Sequence, residues 1–237
     1  MKTANSIMVR KSRERGHVNH GWLDSYFSFS FAEYHDPRYM GYRSLRVINE
    51  DRIEAGRGFG THPHRDMEII SYVIEGELSH KDSMGTGSVL KAGNLQRMSA
   101  GTGVEHSEFN PSPTKPTHLL QIWILPEKKG LTPSYQELSL KDMPKTNGLT
   151  LVAANEEKSG VLKVHQDVRL YLGRLKKDET ARYALAKARG AWIQMIKGDV
   201  DMNGTKLAQG DGAAVEGDQD ISINASQGAE FLLFDLK

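Results

Sequence analysis

The stretch Tyr72-Val73-Ile74-Glu75-Gly76-Glu77-Leu78 places a glycine between two short apolar runs, as expected for two β-strands joined by a tight turn. A piece of the same form, Gln194-Met195-Ile196-Lys197-Gly198-Asp199-Val200, follows in the second half of the chain. Likewise, Leu90-Lys91-Ala92-Gly93-Asn94 is matched by Leu207-Ala208-Gln209-Gly210-Asp211. Two matched pieces in the same order predict a duplicated β domain, although short strand-turn-strand pieces also look alike by chance.

Short apolar runs punctuated by single glycines continue through most of the 237 residues. Few segments keep a 3.6-residue period long enough for a helix. Residues 178–188 would suit a helix or a strand, and we predict a strand because a glycine turn and a clear strand follow. Residues 127–160 are richer in Lys, Pro, Asn and Glu, so we interpret them as a connector between the halves with a strand at 149–153. The sequence therefore predicts an all-β protein.

Two polar segments of the first half are less regular. Residues 1–15 are basic and lack a clear period, which indicates a terminal arm or a first edge strand. Residues 45–49 form an apolar strand, and residues 51–58 are predicted to be a polar loop that leads to His62.

Composition excludes several classes of protein. The 31 Lys and Arg nearly balance the 30 Asp and Glu, so no general attraction to nucleic acid or to an acidic membrane is expected. The chain has no cysteine, which removes disulfides, thiolate nucleophiles, zinc fingers and iron–sulfur clusters. No apolar segment is long enough to span a bilayer. We expect a cytoplasmic protein that binds neither nucleic acid directly nor membranes.

Two segments carry paired candidate metal ligands, namely Gly60-Thr61-His62-Pro63-His64 and Val104-Glu105-His106-Ser107-Glu108. Side chains two residues apart on a strand project from one face, so two such pairs can meet around one ion. Pro63 cannot donate a ladder hydrogen bond, which favours a strand start, an edge or a bulge, and hence an opening to solvent. A lone histidine is more often a hydrogen-bonding residue than a ligand, but two same-face pairs predict a mononuclear metal site formed by His62, His64, His106 and Glu108.

Histidine and carboxylate ligands without thiolate suit iron, nickel, copper, manganese or zinc, and disfavour a structural zinc site. Three histidines and one glutamate around an octahedral ion leave two adjacent positions free. Those positions would accept a bidentate substrate, or a substrate oxygen and O2.

The second half lacks these ligands. When the matched glycines of the two halves are superposed, apolar residues stand at or near the ligand positions. These residues are Ala184, Ala186, Ile223 and Ala225. The second copy is therefore predicted to be a fold copy without metal, with a structural or substrate-shielding role.

The ligand pairs sit in longer patterns. Gly56, five residues, His62-x-His64, Glu68 and Gly76 are similar to the first cupin motif, with Glu68 one residue early relative to the commoner spacing. Gly103-x-x-His106 followed by Asn110 is similar to the second cupin motif. More specifically, six segments resemble pirins, a bicupin family that includes bacterial quercetinase-like proteins. These segments are residues 15–17, 20–24, 29–32, 62–68, 98–103 and 106–108.

The pirin resemblance implies two cupin domains, each a jelly-roll β-barrel. Residues 1–130 would form the N-terminal cupin, which binds one metal through the four predicted ligands, and residues 131–237 a C-terminal cupin without metal ligands. Fe(II) is the first expectation for the ion, with Ni, Cu, Mn or Zn as alternatives. Glu68 is not a ligand in this pattern, and we interpret it either as holding a histidine ring nitrogen or as ordinary strand surface. We expect a monomer.

Two functions follow from the resemblance. The first is an enzyme resembling quercetin 2,3-dioxygenase, in which a flavonol or similar aromatic binds through a deprotonated oxygen and is cleaved by O2 with loss of carbon monoxide. Glu108 would then be the base that takes the hydroxyl proton. The second is a metal-dependent regulatory protein whose partner is another protein.

The remaining candidates are weaker. We expect no direct chemistry from the other histidines, which are His17, His20, His35, His80, His118 and His165. Four large side chains would either line the pocket or belong to the plain core, namely Phe59, Met67, Phe109 and Trp123.

Overall fold

The computed structural model describes residues 7–140, 143 and 148–237. Within them the chain forms 22 β-strands and one 3-10 turn, Ser12–Glu14, so the predicted all-β fold is confirmed. No helix in this part of the chain has the length and apolar composition needed to cross a membrane. The strands are β1 Met8–Arg10, β2 Gly16–Asn19, β3 Leu23–Phe27, β4 Leu45–Ile53, β5 Gly58–His64, β6 Glu68–Glu75, β7 Glu77–Asp82, β8 Gly87–Lys91, β9 Asn94–Ser99, β10 Val104–Phe109, β11 Thr117–Ile124, β12 Ser134–Ser139, β13 Leu149–Ala154, β14 Leu162–Lys163, β15 Val168–Leu175, β16 Thr180–Leu185, β17 Gly190–Lys197, β18 Val200–Met202, β19 Thr205–Leu207, β20 Gly212–Glu216, β21 Gln219–Asn224 and β22 Ala229–Leu236.

The described residues form two compact units with the same strand topology. In the first unit, one sheet has the order β12-β9-β6-β11-β4-β3-β2 and the other has the order β5-β10-β7-β8. In the second unit, the sheets contain β20-β17-β22-β15-β13 and β16-β21-β18-β19. The order β9-β6-β11-β4-β3 is thus repeated strand for strand, and so is the smaller sheet. The duplicated jelly-roll architecture predicted from the two glycine pieces is confirmed.

The compact units interleave along the sequence. The first contains the described residues of 16–142 and 156–166, and the second those of 1–15, 143–155 and 167–237. This division differs from the single boundary predicted after residue 130. The strand β1 pairs with β20, so the predicted edge strand belongs to the second unit, while residues 1–6 lie outside the described residues.

The predicted connector contains a strand that sequence analysis missed. The strand β12 pairs with β9 along its whole length and extends the larger sheet of the first unit. Its side chains are mostly polar, and Leu138 is its one buried residue. An edge strand of this kind lacks the apolar alternation by which strands are recognised. The predicted strands at 149–153 and within 178–188 are confirmed by β13 and β16.

The superposition of the two halves needs a correction. Ala184 and Ala186 are exposed, so they do not stand at the positions of His62 and His64. When β5 and β16 are aligned by their last residues, and β10 and β21 by their first, the four positions carry Tyr183, Leu185, Ile221 and Ile223. The pairing agrees, because Tyr183 lies opposite Ile221 as His62 lies opposite His106. A shift of one residue along a strand moves every side chain to the other face.

The interiors of the two units differ. A cluster of 18 buried apolar residues, drawn from both sheets, packs inside the second unit. The first unit has smaller apolar clusters, one around Ile53, Val73 and Leu119 and another around Ile69 and Met98. Buried polar side chains also belong to the first unit, among them Ser71, Gln96 and Glu108.

Gly101 lies in the loop that joins β9 to β10, and it cannot carry a side chain without rearrangement. Its φ is +44°, and a Cβ there would collide with the carbonyl oxygen of Leu131. We expect Gly101→Ala to destabilise the protein by roughly 2–4 kcal/mol, because backbone rather than a flexible side chain must move. Urea unfolding would measure this, with Gly60→Ala as control because open space surrounds that position. Equal unfolding midpoints for the two variants would contradict the assignment.

Candidate metal centre

Two neighbouring strands carry the predicted ligands. His62 and His64 lie on β5, and His106 and Glu108 lie on β10, with His62 directly opposite His106. The β5–β10 pairing shifts between His106 and Glu108, which marks a β-bulge. Bulges change the direction of side chains and are frequent beside active sites.

Three histidines converge. The Nε2 atom of His106 is 3.0 Å from Nε2 of His64 and 3.1 Å from Nε2 of His62. Nitrogens that bind one ion at about 2.1 Å and at right angles are separated by about 3 Å, so this spacing fits ligands of a single ion. His62 donates its Nδ1 hydrogen to the carbonyl oxygen of Gly60 at 2.7 Å, which leaves its Nε2 lone pair free.

The electrostatics favour neutral imidazoles. Burial, followed by the neighbouring rings of His106 and His62, lowers the pKa of His64 to about 4. Burial, followed by the rings of His62 and His80, lowers the pKa of His106 to about 3. Both rings are therefore unprotonated at pH 7, the form in which imidazole binds a metal.

Glu108 is buried beside this group, with 1% of its surface exposed. Its Oε1 accepts hydrogen bonds from Ser71 Oγ at 3.1 Å and Gln96 Nε2 at 2.7 Å, and its Oε2 accepts one from Gln121 Nε2 at 2.7 Å. These donors fix the carboxylate in one orientation. Ser71, Gln96 and Gln121 could not be predicted as partners of Glu108, because a polar residue inside a strand carries no sequence signal of what it faces.

The four predicted ligands do not all fall in one group of closely spaced ligand atoms. His62, His64 and His106 offer ligand atoms within 4.8 Å of one another. Glu108 belongs to a second group with the same spacing, formed with His80 and His106. The two groups share His106, so the structure brings the three histidines together and places Glu108 next to them. A role for Glu108 as the fourth ligand stays a prediction.

A cavity of about 690 Å³ opens beside the three histidines. His62, His64 and Glu108 contribute to its wall. The rest of the wall is formed by His17, Val18, His20, Leu23, Ser25, Phe27, Phe31, Ala32, Glu33, Tyr34, Asn49, Asp51, Phe59, Gln121 and Trp123. Its size is that of a small-molecule site, and its aromatic side chains suit a planar ligand.

Two of the four predicted wall residues line this cavity. Trp123 meets His64 edge to face at 5.1 Å between ring centroids, and Phe59 meets His62 at 6.5 Å. Met67 instead packs against the cluster around Ile69 and Met98, and Phe109 is 40% exposed. Phe109 points outward because β10 alternates, with Val104, His106 and Glu108 buried on the opposite face.

Glu68 contacts a histidine, but not one of the three that converge. Its Oε1 lies 3.3 Å from Nδ1 of His165, and its Oε2 accepts a hydrogen bond from Ser99 Oγ at 2.9 Å. The interpretation of Glu68 as a partner of a histidine ring nitrogen therefore concerns His165.

Other histidines from which no direct chemistry was expected also have partners. In each case the histidine Nε2 lies near a carboxylate oxygen. The distance is 3.0 Å from His118 to Oε1 of Glu50, 3.0 Å from His80 to Oδ2 of Asp82, and 2.6 Å from His17 to Oδ1 of Asp24. His17 and His20 line the cavity.

Comparison with known proteins agrees with this architecture. Residues 8–124 match the Pirin family, and residues 151–236 match the quercetinase C-terminal cupin domain. This chain belongs to the pirin family. The pirin resemblance of its sequence segments is confirmed, and so are its two cupin domains.

This pirin has relatives that align over nearly their whole length. It is 53% identical to quercetin 2,3-dioxygenase of Escherichia coli K12, over 97% of this chain and 98% of that protein. It is 43% identical to the putative quercetin 2,3-dioxygenase PM1685 of Pasteurella multocida, over 97% and 99%. The crystal structure of the bacterial pirin YhhW from Escherichia coli in complex with nickel(II) superposes with a TM-score of 0.92, at 52% identity, over 98% of this chain and 99% of that one.

Proposed function

We propose that this pirin is a metal-dependent dioxygenase that cleaves the heterocyclic ring of a flavonol-like substrate with O2. One observation carries the proposal: the Nε2 atoms of three histidines converge, and two of these histidines line a cavity of about 690 Å³ that also has aromatic side chains in its wall. Relatives that share 53% and 43% identity with the chain are named as established or putative quercetin 2,3-dioxygenases, which supports the same reaction class.

On this proposal His62, His64 and His106 hold one divalent ion, and Glu108 completes the ligand set. The ion supplies a Lewis acid with open positions for the reacting molecules. A nickel complex of a pirin at 52% identity supports a divalent metal. The sequence-based expectation of Fe(II) stays a prediction, as do the cytoplasmic location and the monomeric state.

Residues around the three histidines would position the substrate and the Glu108 carboxylate. Phe59 and Trp123 would pack against the planar rings of the substrate and exclude water from the space beside the histidines. Gln96 and Gln121 hold the Glu108 carboxylate through both of its oxygens. Glu108 is the predicted base for the substrate's hydroxyl proton, since a carboxylate beside the ion is within reach of a bound ligand.

Oxygen uptake and flavonol loss test the proposal. The metal-free protein would be loaded separately with Fe(II), Ni, Cu, Mn or Zn and mixed with a flavonol in aerated buffer. With at least one metal, we expect flavonol and O2 to disappear in equal amounts while an equal amount of carbon monoxide is released. His64→Ala should slow this reaction about 100-fold or more, because it removes a ligand.

His35→Ala is the matched control, since His35 is exposed and lies outside the cavity wall. Its rate should equal that of the native protein. If native protein loaded with each metal leaves flavonols and O2 untouched, the dioxygenase proposal fails and the regulatory alternative is favoured.

A further inference from the structure

A second buried carboxylate faces the cavity. Asp51 lies on β4 with 3% of its surface exposed, although sequence analysis placed it in a loop. Its partner across the strand pair is Ser25 on β3, which also lines the cavity. The Ser25 hydroxyl donates a hydrogen bond to Oδ1 of Asp51. Among the described residues, no other side chain donates a hydrogen bond to this carboxylate.

The same face of β4 carries a second buried polar side chain, that of Asn49. Asn49, two residues before Asp51, lines the cavity, and its Oδ1 is buried with no hydrogen-bond partner among the described residues. Buried polar atoms in native proteins nearly always have a partner. A carboxylate and an unpaired amide oxygen side by side on a cavity wall indicate a ligand that donates hydroxyl hydrogens to both.

The two carboxylates of the cavity have contrasting surroundings. Glu108 accepts three side-chain hydrogen bonds, whereas Asp51 accepts one from Ser25. The pKa of Asp51 is raised to about 7, chiefly by burial; the Ser25 hydrogen bond opposes this rise, and the negative charges of Glu108 and Glu50 contribute to it. Paired acidic groups with unlike surroundings commonly divide proton transfer and charge stabilisation between them.

Other titratable groups face the same cavity or adjoin Asp51. They come from β2 and the turn after it, the loop after β3, β5, β10 and β4 itself. These groups are His17, His20, Glu33, Tyr34, His62, His64, Glu108 and Glu50. Asp51 thus lies in a cavity that holds both histidines and acids.

We propose that Asp51 is the base of the dioxygenase reaction, while Glu108 stays fixed as a metal ligand; this assignment rests on the proposed function. In the step, the O–H bond of the substrate breaks, an O–H bond forms on the Asp51 carboxylate, and the electron pair remains on the substrate oxygen. The flavonolate and O2 then yield the ring-opened carboxylate and carbon monoxide. The product leaves as the carboxylate anion, and Asp51 releases its proton to solvent.

The absorption spectrum of the bound flavonol tests this directly, because the anion absorbs at longer wavelength than the neutral form. Metal-loaded native protein and Asp51→Asn would be mixed with flavonol under anaerobic conditions. We expect the anion band with native protein and the neutral band with Asp51→Asn at equal metal content. In air, kcat/KM of Asp51→Asn should fall about 100- to 1,000-fold.

Ser25→Ala provides a second variant that leaves the carboxylate in place. Without the hydroxyl donor the pKa of Asp51 rises, so the ascending limb of the kcat/KM profile should move to higher pH. A carboxylate with a purely structural role would leave that limb unmoved. If Asp51→Asn does not fold, this shift decides the assignment.

The control is Asp218→Asn, an exposed carboxylate outside the cavity wall, whose spectrum and rate should match those of native protein. An anion band and a native rate in Asp51→Asn would overturn the proposal and leave Glu108 as the base. Native protein that ionises bound flavonol but takes up no O2 would instead refute the dioxygenase function, while the anaerobic spectra still decide the role of Asp51.

Discussion

His106→Ala is expected to weaken metal binding at least about 100-fold, a larger loss than any other single substitution in the first unit should cause. His106 lies in the middle of the centre: its Nε2 is about 3 Å from the Nε2 atoms of both His62 and His64. It also belongs to the group formed with His80 and Glu108. The variant should contain almost no metal after dialysis, as measured by elemental analysis, and should have no oxygenase activity.

Two further variants locate the ion between the overlapping groups. If the three histidines hold it, His62→Ala should lose metal while His80→Asn retains it. Metal retained by His62→Ala and lost from His80→Asn would place the ion with the buried group instead. His35→Ala controls for the loss of a histidine as such, because that residue is exposed.

Asp51→Asn is expected to make the metal-free protein more stable at pH 8. Asp51 has a pKa of about 7 in the folded protein, above its ordinary value of 3.8, mainly because it is buried. A carboxyl group with a raised pKa favours folding when protonated, and this contribution disappears as the pH rises from about 4 through about 7. Asn removes the cost of the buried charge, so we expect the thermal midpoint at pH 8 to rise on the order of 5–10 °C.

The pH dependence provides the control within the same pair of proteins. Near pH 4 both proteins carry an uncharged group at this position, so their midpoints should converge. A constant difference across the pH range would indicate a packing effect and contradict the raised pKa. A variant that gains stability while losing the flavonolate band would show that Asp51 is retained for function at the expense of stability.

Much of the fold follows from local sequence signals. The glycines at 76 and 198, each between two apolar runs, predict strand pairs that recur in the same sheet order in both units. Local signals are weaker where a strand is polar. The strand β12 at an edge and the polar second half of β4 were therefore assigned to connector and loop, although both are paired with neighbouring strands.

The candidate site also combines features that local sequence predicts with features that only strand pairing produces. The i, i+2 spacing alone put His62 with His64 and His106 with Glu108, because a strand presents alternate residues on one face. The pairing of β5 with β10 then brought the three histidines together, while Glu108 falls in an overlapping group with His80 and His106.

The sequence by itself determined that this is a duplicated β protein, and it predicted paired metal ligands in the first half and none in the second. Only the tertiary structure decided which polar residues face the metal centre. Along the chain Asn49 ends a predicted strand and Asp51 begins a predicted loop, and both become cavity residues because β3 and β11 pair with β4 on either side. The alternation of a strand can be read from its own sequence. Burial by strands that are distant along the chain cannot, because the buried residues show no pattern that indicates it.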